Sequence, residues 1–187
     1  MTIHVWKSQK DRNEMRKVLF ISFLFALCVA CGHRQDVNTK DKKSQLNKQD
    51  MEALNQYMTA KDRERIINYI ERKDLSMEEN PMGIWYSIID EGESPKIQDN
   101  DRVVIEYECS LLDGSLCYSS VDDGYKIITV GKNEFGAGLD YGLKMLGRGG
   151  EALFIIPPFM AFGLKGDGDK IPSRSVLVFS VKARDVN

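Results

Sequence analysis

The residues best suited to chemistry are unevenly spread along this chain of 187 residues. Both histidines, His4 and His33, lie near the amino terminus, so whatever folds beyond them works without imidazole. That excludes a Ser-His-Asp hydrolase, a Cys-His protease and a His-ligated zinc centre. The cysteines are Cys28, Cys31, Cys109 and Cys117. Cys109 and Cys117 are too far apart in sequence for a thioredoxin-like C-x-x-C pair, and two ligands do not complete a tetrahedral metal site. No cofactor and no metal are expected. A formal charge of -2, with 42% hydrophobic, 29% charged and 9% aromatic residues, describes an ordinary globular chain. It argues against a nucleic-acid partner bound through its phosphates.

Cys31 has a different context. Residues 18–30 (VLFISFLFALCVA) are an apolar run preceded by Arg16 and Lys17. The run is too short to span a bilayer and has the length of the apolar region of a secretory signal. It ends in small residues directly before Cys31 and resembles a bacterial lipoprotein signal. Cys28 stands where leucine would be more usual; a plain secretory signal or a buried helix is the alternative reading. Residues 1–30 are therefore expected to be a signal peptide, Cys31 the lipidated residue, and the protein anchored in a bacterial cell envelope, facing the periplasm. Removing residues 1–30 removes Lys7, Lys10, Arg12, Arg16 and Lys17 with Asp11 and Glu14, leaving 21 basic and 26 acidic residues, net -5. With no basic patch for lipid headgroups, the membrane contact must come from the lipid on Cys31. A single myristoyl-length chain holds a membrane only reversibly, whereas the multiply acylated anchor implied by the resemblance is durable.

Residues 31–48 are polar, without apolar periodicity, and read as a solvated tether. Residues 49–80 read as a helical arm: Leu54, Tyr57 and Met58, then Ile66, Ile67 and Ile70, recur at helical spacing. Thr59 and Asp62 form a possible N-cap pair dividing the arm in two. The arm either packs on the domain or serves as a dimerisation or partner helix. After Asn80-Pro81 the period becomes strand-like. Residues 84–89, 101–112, 115–120, 125–130, 151–156 and 175–184 read as strands, with Asp113-Gly114 as a hairpin turn. Leu139, Leu143 and Leu146 share one face of a short helix. The fold class is α+β: an antiparallel β-sheet curled around one short α-helix, preceded by a helical N-terminal arm.

The order of these elements, with the stretches VVIEYECSLLDG, YSS, VGKNEFGAGLDYGLKMLGRGGEALFIIPPFMAFG and IPSRSVLVFSVKA, is similar to an FKBP-type peptidyl-prolyl cis-trans isomerase domain over residues 82–187. A lipidated form with a helical arm resembles the gliding-motility-associated branch of that family. The implied chemistry suits a site without acids, bases or metals. Isomerising an X-Pro bond means twisting an amide against a barrier of roughly 18–20 kcal/mol. A dry aromatic pocket that favours the twisted, less polar amide lowers that barrier.

The resemblance places the pocket on Tyr107, Cys117, Tyr118, Phe135, Gly136, Leu139, Phe162, Ile171 and Phe179. Tyr107 and Phe179 match the aromatic walls, Ile171 the residue closing over the proline, and Gly136 a backbone N–H offered to the peptide. Leu139 takes the floor position, where tryptophan is common. Phe162 replaces a tyrosine, and Cys117-Tyr118 replaces the usual Phe-Asp. The implied partners are proline-containing polypeptides, and the implied role is folding assistance to exported proteins. A non-catalytic peptide-binding module or holdase is the competing reading, and an envelope component whose domain only docks a partner is a third. A three-residue loop at 112–114 would set Cys109 and Cys117 directly opposite each other, where they are either bridged or simply buried as free thiols.

Overall fold

The computed structural model describes residues 39–187; the signal region, His33 and Cys31 lie outside them. The chain divides into two compact units, residues 1–51 and 52–187, and the second carries the sheet. Helix α1, Thr39–Arg72, is a single helix. It begins inside the stretch read as a tether, because that stretch is polar but holds neither proline nor glycine from residue 33 to residue 72. Polarity there does not mean the absence of a helix. Nor does the helix break at Thr59; Asp62, read as half of an N-cap pair, is instead buried and paired with Arg174 at 2.8 Å.

The arm is also shorter at its far end than residues 49–80. Asp74 takes φ 50°, and the N–H groups of Asp74 and Leu75 return to the carbonyls of Glu71 and Ile70 at 3.2 and 3.1 Å. This is the Schellman ending, with Leu75 and Ile70 both packed against one apolar cluster. Residues 78–79 then form a strand.

The strands are β1 (Glu78–Glu79), β2 (Trp85–Asp90), β3 (Arg102–Leu111), β4 (Leu116–Ser119), β5 (Lys126–Thr129), β6 (Glu151–Ile156) and β7 (Leu177–Val186). They form one sheet in the order β1-β2-β6-β7-β3-β4, with β5 also on β3, and every pairing is antiparallel. Helix α2 is the turn Ser120–Asp123, and α3 is Ala137–Leu143.

Alternation along β3 buries Val103, Ile105, Tyr107 and Cys109 on one face. That face, with Phe154, Phe179 and Val181, closes on Leu139, Leu143 and Leu146 around α3. The helix approaches this closely because a side chain at Gly138 would meet Ile156 Cγ2 at 2.3 Å. On the opposite face Ile155, Val176 and Val178 pack under Ile66 and Tyr69 of α1. Each of these apolar side chains contributes ~1.5–3 kcal/mol by burial. Of the arm's two apolar groups, only the second docks on the sheet; Leu54 and Tyr57 are exposed.

Candidate functional site

Strands β3 and β7 lie side by side with Tyr107 opposite Val181 and Cys109 opposite Phe179. Strict alternation therefore brings Tyr107 and Phe179 to the same face, where both are buried. Phe135, from the loop before α3, packs between them, with ring centroids 5.7 Å from Tyr107 and 6.0 Å from Phe179, the latter edge-on at 85°. Such tilted pairs place positive ring edges against negative faces. Tyr118 adds a fourth ring, 6.5 Å from Phe135. Leu139 lies fully buried at the first turn of α3, and Ile171 is buried on the loop between β6 and β7. Cys117 and Phe162 belong to the same apolar cluster. The structure thus brings eight of the nine candidate residues into one cluster.

Gly136, the ninth, sits beside it at φ 85°, where a side chain would strike Ala161 Cα at 2.6 Å and Met160 O at 2.7 Å. Only glycine allows this approach. Its N–H, expected to face a peptide, donates to Asn133 O at 3.0 Å within the fold itself. The turn is held by Asp140, a buried carboxylate on α3 whose Oδ2 accepts from Gly131 N at 2.7 Å and Asn133 N at 2.9 Å.

The electrostatics are those of a buried apolar cluster. Burial, helped by Asp123 and Cys109, pushes the Tyr107 phenol up to about 12, and its hydroxyl is buried with no hydrogen-bond partner among the described residues. Burial also raises both thiols, Cys109 with help from Cys117, and Cys117 with help from Asp167 and Asp113 against Lys170. Neither cysteine is a nucleophile at neutral pH. They are free and are not directly opposed. The hairpin does close through Gly114 N–Leu111 O, but a bulge then shifts the register, so Cys109 faces Tyr118 and Cys117 is the extra residue. Among the described residues no group of three or more His, Cys, Asp or Glu is placed to hold a metal ion.

Sequence reasoning missed Asp167. The Tyr118 hydroxyl donates to its Oδ2 at 2.5 Å, and its Oδ1 accepts from Asp169 N at 2.9 Å and Ile171 N at 2.8 Å. Burial alone would raise this carboxyl, but Tyr118 and the surrounding backbone N–H groups together hold it below the usual carboxylate range. The same bond drives the Tyr118 phenol upward. The run Gly166-Asp167-Gly168-Asp169 signals a tight turn. Nothing in it points to a partner 49 residues away.

Residues 93–183 match the FKBP-type peptidyl-prolyl cis-trans isomerase family. The chain is 38% identical over 100 residues to the probable FKBP-type peptidyl-prolyl cis-trans isomerase FkpA of Neisseria meningitidis, covering 54% of this chain and 36% of that protein. It is 36% identical over 93 residues to FK506-binding protein 2 of Dictyostelium discoideum, covering 49% of this chain and 70% of that one. The chain therefore spans well under half the length of the Neisseria relative. Among solved structures it is similar to FkpA from Escherichia coli, with a TM-score of 0.58 at 21% identity over 98% of this chain and 90% of that chain. It is also similar to AtFKBP13, with a TM-score of 0.55 at 24% identity over 60% and 99%; both are likenesses of fold. Together with a curled antiparallel sheet, a short helix beneath it and an aromatic cluster on its inner face, these matches show that the chain belongs to the FKBP-type peptidyl-prolyl cis-trans isomerase family.

Proposed function

We propose that the protein is a peptidyl-prolyl cis-trans isomerase acting on X-Pro bonds of exported proteins, held at the bacterial envelope by lipid on Cys31. The observation that carries the activity is the trio of Tyr107, Phe135 and Phe179, whose rings meet at 5.7 and 6.0 Å in an apolar setting. An environment of this kind stabilises a twisted amide, which has lost its resonance dipole, over a planar one. Ile171 closes over the proline ring and Leu139 supports it from below. The anchoring half of the reading rests on the apolar run before Cys31. The test of the activity is the relaxation of cis X-Pro peptides with varied residues before the proline. Acceleration proportional to protein supports the reading, and a folded sample that accelerates none of them defeats it. Membrane fractionation tests the anchor: the wild type should sediment with membranes and Cys31→Ser should be released.

A second reading, a pocket that binds proline peptides without isomerising them, is favoured by Phe162, which lacks a hydroxyl, and by the Gly136 N–H already given to Asn133. Phe162→Tyr separates the two. A gain above about tenfold, the reach of one hydrogen bond made to the reacting group, would mark the native pocket as a binding site. Tyr118→Asp is a poorer probe, because the new carboxylate would meet Asp167 and Asp169.

A further inference from the structure

We infer that Asp167 is a positioning residue of the proline pocket, fixing the loop that carries Ile171 against the Tyr118 wall and so setting the width available beside the proline. The inference rests on the isomerase reading and adds a specificity-determining residue outside the pocket walls. The loop between β6 and β7 is closed at its base, where Arg174 N donates to Gly163 O at 2.9 Å and Ser173 Oγ to Leu164 O at 2.6 Å. Its tip joins no strand. What orders the tip is the Asp167 carboxylate, which accepts from Asp169 N, Ile171 N and the Tyr118 hydroxyl, while Asp167 N donates to Ile171 O at 3.1 Å. Ile171 is thus held from both its N–H and its carbonyl by a single residue. Two further contacts join the tip to β4: Lys170 Nζ stands 4.7 Å above the Tyr118 ring, and Cys117 Sγ lies 3.6 Å from Lys170 O. Hydrogen bonds to an ionised carboxylate are stronger than neutral ones, and the bond to Tyr118 is the shortest of the ties between the loop and the sheet.

The experiment uses the full chain and peptides carrying Ala, Leu or Phe before proline, with kcat and KM measured separately. Asp167→Ala should lower kcat/KM about tenfold, the size of one lost charge-assisted hydrogen bond, and should flatten the preference among the three peptides. Tyr118→Phe should lose roughly threefold, and the double variant should be no worse than Asp167→Ala alone, because both remove the same tie. The Ile171 methyl resonances should shift or broaden in Asp167→Ala and move less in Tyr118→Phe. Losses that multiply in the double variant would overturn the inference. So would an Asp167→Ala protein with wild-type kinetics and unmoved Ile171 methyls. Should Asp167→Ala not fold, Asp167→Asn carries the same comparison. A wild type inert on every peptide would defeat the isomerase reading instead, leaving the Ile171 methyls to decide the positioning role.

Discussion

Two walls of one pocket are built by different physics. Tyr107 and Phe179 stand on neighbouring strands, where the ladder of β3 and β7 fixes their spacing and the core behind them fixes their rotamers. Ile171 and Tyr118 face the same space from a loop tip and a bulged edge strand, and a web of polar bonds centred on Asp167 holds them. The strand wall is rigid because moving it means unpacking the core. The loop wall is adjustable, since its position depends on a few hydrogen bonds at the edge of solvent. Under the proposed function the two walls divide the tasks: the strand wall would supply the apolar environment an amide needs to twist, and the loop wall would select the residues around the proline.

The largest effect should come from the strand wall. Phe179→Ala removes a fully buried ring and should cost ~3–5 kcal/mol in denaturant unfolding, with isomerase activity lost in whatever remains folded. Next comes the base of the loop. Among the described residues, Arg174→Ala leaves the buried Asp62 carboxylate with Arg65 alone, 3.7 Å away, and should cost about 2 kcal/mol at neutral pH. Burial raises the Asp62 carboxyl above its ordinary value, more than Arg174 and Arg65 lower it. A raised folded-state carboxyl binds its proton more tightly than the unfolded chain does. Its charge therefore weakens the fold at neutral pH, and that penalty is relieved as pH falls through the folded value. The gap between Arg174→Ala and wild type should accordingly narrow toward pH 4, as read from unfolding midpoints. The smallest effect has the opposite sign. Tyr107→Phe deletes a buried hydroxyl that has no partner among the described residues, so it should raise stability by roughly 1 kcal/mol in thermal unfolding.

The difference between the walls also explains what could be read from sequence. Strand alternation, a local rule, made the strands of Tyr107 and Phe179 legible through Val103, Ile105, Leu177 and Val181 around them, whereas their place as pocket walls came only from the family resemblance. The short helix under the sheet was legible from Leu139, Leu143 and Leu146. The departure of Cys117 from its expected place opposite Cys109 was not, since a bulge is set by how both strands meet the rest of the sheet. Asp167 escaped for the same reason, its key partner being fixed only once β4 and the loop are folded together. The start of α1 at Thr39 was hidden by composition: residues 39–48 are almost wholly polar and leave no periodicity to find.

The most direct measurement is an amide-resolved NMR titration of the folded protein with a short X-Pro peptide. Perturbations should gather on Tyr107, Phe135, Gly136, Leu139 and Phe179, and extend through residues 167–171 to Tyr118. A different groove, of about 390 Å³, lies over β3 and β7 between Glu106, Glu108, Lys182 and Arg184 and also touches Tyr107 and Val181, so Phe135, Leu139, Phe179 and residues 167–171 decide between the two. Shifts confined to that groove, with the inner wall and the loop unmoved, would contradict the pocket described above.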